Sequence, residues 1–156
     1  MKRHLQLQPL SRQHHNGLLM SLLLLKGLRK NTDLQVLSDF ILHGWKEELQ
    51  SHFEAEEKIL IPALKETGFD DLLIQQLLIE HTELRALVQK IENNSAGKDE
   101  ISQFGTLLEK HIRFEERIFF PKAEEILSEE KLSDIGELLQ HEDSVNCMNY
   151  PVKFWE

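Results

Sequence analysis

The chain has one cysteine, Cys147, among 156 residues. It therefore has no intramolecular disulfide and no CxxC redox pair, which fits a reducing compartment. A basic excess is also missing: 18 Lys and Arg stand against 27 Asp and Glu, for a net charge of −9. That balance argues against nucleic acid or an anionic membrane as the main partner, because both demand a basic surface. The longest apolar run, Leu18 to Leu25, is interrupted by Ser21 and is too short to span a bilayer. Met-Lys-Arg followed by leucines imitates a secretory leader, but Pro9, His14 and His15 intervene and no small-residue cleavage site follows. The expected location is cytoplasmic. Gly-rich phosphate loops, HExxH, EF-hand loops and GxSxG elbows are absent. Strand signals are nearly absent, and the length suits one domain with a sizeable core.

What remains is helical spacing broken by short polar stretches. A first helix is expected from about Ser11 to Lys30, with "RKNTD" ending it and Thr32 or Asp33 capping the next. The second should run to about Leu60, where Pro62 stops it. "KETGFDD" reads as a loop with Asp70 as a cap, and a third helix covers about 71–92. After "NNSAGKD", a fourth covers about 99–119 and ends at or just past Pro121. Residues 122–143 suggest a shorter fifth helix, or a continuation plus a short one. The tail "NYPVKFWE" lacks periodicity, but its aromatics can pack back. The expected fold is all-α: an antiparallel up-down-up-down four-helix bundle with a short C-terminal extra helix. It forms a single domain, with a core of about 8–125 and an extension of about 126–156.

Polar residues intrude on the buried stripes. The second stripe reads Ile41, Trp45, Leu49, His52, Glu56, Ile59. The third reads Ile74, Leu77, His81, Leu84, Val88, Ile91, and the fourth Ile101, Phe104, Leu108, His111, Glu115, Ile118. On the first helix His15 keeps the 15-18-22-25 rhythm and is preferred. His14 lies on nearly the same face, either as a neighbour or as the ligand instead. Each helix thus brings a His to the core, and two bring a Glu one turn later. A buried polar group without partners costs roughly 1–3 kcal/mol, and a buried unpaired charge far more. A metal offsets the carboxylates and accepts neutral imidazole nitrogens. His4, His43 and His141 read as surface residues, Glu57 and Glu116 as solvated or hydrogen-bonding, and Trp45 and Phe114 as core.

The segments "SRQHHNGLL", "HFEAEEKILIP", "IEHTELRAL" and "EKHIRFEERIFFP" together resemble the hemerythrin-like, or HHE cation-binding, domains over roughly residues 8–125. The resemblance implies an antiparallel bundle around two non-haem iron ions, oxo- or hydroxo-bridged. One iron would take His15 (or His14) and His52, the other His81 and His111, with Glu56 and Glu115 bridging. The oxygen carriers of the family have a further His one turn before the third-helix ligand and an Asp on the fourth. Here Leu77 and Glu115 stand instead, leaving more open positions.

The expected function is binding or sensing of O₂, NO or related small oxidants, or buffering of iron. The alternatives are a di-iron enzyme acting on peroxide or nitric oxide, and a zinc-bound or structural interaction module; ligand identity alone admits Zn²⁺. His52→Ala and His111→Ala are expected to lower metal content sharply, and His43→Ala to leave it unchanged. Equal loss in all three variants, by elemental analysis, would contradict the ligand set.

Overall fold

The computed structural model describes residues 2–139 and 149–156 and is helical, with no strand among the described residues. A single 3₁₀ turn, Leu5–Leu7, leads into α1, Gln8–Arg29. The second rod, α2 (34–65), is built from Leu34–Gly44, Trp45–Leu49, Gln50–Ala55, Glu56–Leu60 and Ile61–Lys65 in direct succession. Next comes α3, Asp71–Glu92. The fourth rod, α4 (98–126), joins Lys98–Phe114, Glu115–Phe119 and Phe120–Ile126. A short α5, Glu129–Leu139, follows. The continuation-plus-short-helix alternative is the one adopted. Its end, His141 and Cys147 lie outside the described residues.

The caps are those the sequence chemistry favours. Asp33 Oδ1 accepts from Gln35 N at 2.8 Å, and Asp70 Oδ1 accepts from Leu72 N at 2.9 Å. Glu100 accepts from Gly97 N at the start of α4. Both α1 and α3 end on an asparagine of positive φ, Asn31 at 57° and Asn94 at 55°. Thr32 N then reaches back to Gly27 O and Ser95 N to Lys90 O, using carbonyls a helix end leaves open.

Neither Pro62 nor Pro121 stops its helix. Each follows a π turn, with Ile61 N donating to Glu56 O and Phe120 N to Glu115 O. Proline has no N–H, and in an ordinary helix its ring collides with the carbonyl four residues back. The wider turn makes room for that ring, so α2 runs on to Lys65 and α4 to Ile126. The extra residue also shifts the buried stripe by one. Leu60 and Phe119 are buried, whereas Ile59 is half-buried and Ile118 exposed, contrary to the regular 3.6-residue extrapolation.

The first stripe is likewise corrected by one residue. The buried set on α1 is Leu10, Gln13, His14, Gly17, Met20, Ser21, Leu23, Leu24 and Gly27; His15 and Leu22 are exposed, and Leu18 and Leu25 are half-buried. Leucines surround this helix, so they do not define a side. Its small residues do. A Cβ on Gly17 would sit 2.6 Å from Ile112 Cδ1, which marks close approach of α1 to α4. At Gly27 a Cβ would meet Leu37 and Phe154.

One apolar cluster gathers Leu24, Phe40, Phe53, Leu84, Phe104 and Ile112 among others. A second gathers Leu10, Leu60, Leu64, Leu77, Phe119 and Phe120, and receives Leu132, Ile135 and Leu139 from α5. The tail packs as expected: Phe154 and Trp155 stack edge-on or tilted against Phe40, and Tyr150 does so too. Along α1 to α4, His14, His52, His81 and His111 all fall between the two clusters.

The one-residue correction to α1 is testable. Leu24→Ala should cost about 2–5 kcal/mol, and Leu22→Ala no more than about 0.5 kcal/mol, by denaturant unfolding. Equal losses, or the reverse order, would restore the 15-18-22-25 stripe.

Candidate metal centre

Four imidazoles and two carboxylates meet in the layer between the apolar clusters. His14, His52, His81, His111, Glu56 and Glu115 are each 0–3% exposed. Two groups have donor atoms close enough to share an ion: His14, His52, Glu56 and Glu115, and Glu56, His81, His111 and Glu115. Every histidine turns Nε2 toward the carboxylates. His14 Nε2 lies 3.1 Å from Glu115 Oε2, and His81 Nε2 lies 3.2 Å from Glu56 Oε1. His52 Nε2 lies 3.4 Å from the same Glu56 oxygen, and His111 Nε2 closes on Glu115 Oε1. Each carboxylate therefore touches both histidine pairs.

These contacts are not hydrogen bonds. All four Nε2 atoms and all four oxygens of Glu56 and Glu115 are buried and, among the described residues, have no partner in hydrogen-bonding geometry. Left so, they would cost several kcal/mol together. The separations suit a shared cation: donors at about 2.1 Å from one ion lie about 3.0 Å apart at right angles and about 3.4 Å apart tetrahedrally. Imidazole and carboxylate together suit Fe or Zn. The residues present fit a metal.

Behind each Nε2, the other ring nitrogen is engaged. His14 Nδ1 pairs with Glu116 at 2.8 Å and His81 Nδ1 with Glu57 at 2.6 Å. His111 Nδ1 pairs with Glu80 at 2.7 Å and His52 Nδ1 with the Gln13 amide oxygen at 2.6 Å. Such partners fix the tautomer and aim the ring. Glu57 is clamped by Arg85 at 2.7 and 3.1 Å, and Glu116 accepts from Ser11 at 2.8 Å. The ring faces are pinned as well: Phe53 stacks on His81 with centroids 4.0 Å apart, and Phe120 on His14 at 5.1 Å. A small cavity beside the centre is lined by His14, His52, His111, Leu49, Phe53, Leu108 and Ile112, with Gln13 and Glu48.

The sequence-predicted residues are thus brought together, with His14 in the place expected of His15. His15 lies on the outer face with Leu18, Leu19, Leu22 and Leu25. Glu57 and Glu116 take the hydrogen-bonding role expected of them. His43 is exposed and touches Tyr150, whereas His4 is tied into the chain start, accepting from Gln6 N and facing Glu129. Gln13 and Glu80 were missed. Their signal was small: each immediately precedes a core histidine on its helix.

Protons compensate where no cation does. Burial raises Glu56 well above the ordinary carboxylate range, and Glu115 beside it adds to the rise. Glu115 is held well below that range: burial opposes its charge, but His111 and His14 outweigh it. Burial, together with His14, drives His52 well below its ordinary value. Burial also disfavours the charged form of His111, yet Glu115 and Glu80 raise it to about 9. Glu57 drops to about 2 despite burial, through His81 and Arg85.

Among known proteins, the family model described as the hemerythrin HHE cation-binding domain matches residues 8–123. No curated protein and no solved structure matches the chain. No helix among the described residues is long and apolar enough to cross a membrane.

The metal-free protein offers a direct check on these electrostatics. Because the neighbouring carboxylates stabilise its charged form, the His111 ring should stay protonated at neutral pH and lose its proton near pH 9 in an NMR titration. A midpoint near the ordinary value of about 6.5 would contradict the description.

Proposed function

The chain belongs to the hemerythrin HHE cation-binding family, and on that footing we propose that it is a non-haem di-iron protein that binds or senses a small oxidant such as O₂ or NO. One ion is held by His14 and His52, the other by His81 and His111, with Glu56 and Glu115 shared between them. The observation that carries this reading is the reach of the two carboxylates. Glu115 presents Oε2 to His14 and Oε1 to His111, and Glu56 Oε1 lies within 3.4 Å of both His52 and His81. A residue that merely balanced one histidine would not face both pairs.

The helices are read as an antiparallel up-down-up-down bundle forming one domain. Arg3, just before α1, pairs with Glu124 near the end of α4, and Leu25, near the end of α1, packs at Gly105 near the start of α4. This arrangement lets four rods each contribute one histidine at the same height.

When bound, two iron ions would supply open coordination positions and the electrons that hold a diatomic ligand. The chain's own residues do the rest. The four histidines bind through Nε2 and are oriented through Nδ1. Leu49, Phe53, Leu108 and Ile112 give the adjacent cavity an apolar lining that disfavours water and suits a small uncharged ligand. A ligand set of four imidazoles and two carboxylates is richer in nitrogen than the carboxylate-dominated ferritin-like centres, which favours reversible binding or sensing over oxidase chemistry.

The test is metal analysis paired with anaerobic and aerobic absorption spectra. Expected are about two irons per chain, near-ultraviolet charge-transfer bands, and a spectrum that changes with O₂ or NO and reverses when the gas is removed. Zinc alone, with no such bands, would overturn the reading in favour of a structural module.

A further inference from the structure

The two cation positions differ in what stands behind their ligands. Three of the four Nδ1 atoms face carboxylates: Glu116 behind His14, Glu57 behind His81 and Glu80 behind His111. The fourth, on His52, faces the neutral amide oxygen of Gln13. Backbone position does not require this difference. Gln13 and Glu80 hold matching places, each just before the histidine of α1 or α3, and each reaches the histidine of the helix that follows. Glutamine and glutamate are almost the same size, so the contrast is one of charge.

The carboxylates themselves are unequal. Arg85 neutralises Glu57, and Glu116 has Ser11 at 2.8 Å and Arg3 at 3.8 Å. Glu80, 6% exposed, has its second oxygen 3.3 Å from the neutral amide of Gln76. A carboxylate accepting from Nδ1 makes the imidazole a stronger donor to a cation, and losing such a partner typically weakens metal affinity by about 10–100-fold. The His81/His111 position has two such partners, one without a cation of its own among the described residues. The His14/His52 position has one.

We propose that Gln13 and Glu80 make the two positions unequal, so that the His81/His111 pair fills first and the His14/His52 pair fills second and more loosely. The inference rests on the two-cation reading and adds an order to it. Over a range of metal supply, the protein holds one ion rather than two or none.

The experiment titrates the chelator-stripped full chain with Co²⁺ against a chromophoric competitor, with far-ultraviolet circular dichroism confirming the helices. Two steps are expected, the first tighter by about ten-fold or more. His111→Ala should remove the tight step, and His52→Ala should spare it. In the exchanged background Gln13→Glu/Glu80→Gln, the dependence should reverse, with His52→Ala removing the tight step. Repulsion between two cations also gives two steps, but it does not reverse which histidine governs the first. The same histidine governing both backgrounds, or no preference in either, would overturn the proposal. If the exchanged protein loses its helices, Gln13→Glu alone decides: the second step should tighten by about ten-fold, and an unchanged second step refutes the idea. A wild-type chain that binds no Co²⁺ at either pair would instead sink the two-cation reading, and this order with it.

Discussion

The structure turns on one electrostatic problem: eight buried donor atoms, four imidazole nitrogens and four carboxylate oxygens, face one another without well-formed hydrogen bonds among the described residues. In an apolar interior such a set is costly unless something positive is shared among its members. Protons do this in part, settling on Glu56 and His111 and leaving Glu115 charged. Cations do it more completely, because one ion meets several donors at once. The family to which the chain belongs, and the shape of the cluster, agree on that solution.

Much of the remaining architecture keeps these donors in place. Two apolar clusters close the layer from either end. Carboxylates and one amide hold the outer ring nitrogens, and phenylalanine faces pin two of the rings. α2 has a first π turn at Trp45–Leu49; its second begins at Glu56, and that of α4 begins at Glu115. Ahead of each of the latter two, regular helical spacing sets His and Glu on one face. Beyond it, the added residue rotates the chain so that Leu60 and Phe119 close over the second cluster. π turns are often found at functional sites, and here the turns that start at the two glutamates are both followed by proline, Pro62 and Pro121.

Most of this was legible from residue spacing, and the exceptions have physical causes. The HxxxE pairs on α2 and α4 and the lone His81 on α3 could be read because their flanking apolar residues leave one face free of ambiguity. His14 could not be separated from His15 in the same way. Leucines occupy all sides of α1, so hydrophobic rhythm names no buried face there, and the decision falls to Gly17 and Gly27, where neighbouring chains come too close for a side chain. Pro62 misled for a related reason: a proline ends an ordinary helix but is tolerated just after a wider turn, and nothing in a 3.6-residue rhythm announces that turn. Gln13 and Glu80 carry no pattern of their own, since their role exists only once α1 meets α2 and α3 meets α4.

Diffraction at the iron absorption edge, from crystals grown with ample ferrous salt, tests the central claim most directly. The account requires two anomalous peaks about 3.5–4 Å apart. One should lie between the Nε2 atoms of His14 and His52, the other between those of His81 and His111, with Glu56 and Glu115 reaching both. A dry centre without an ion, or imidazoles swung out toward solvent, would contradict it.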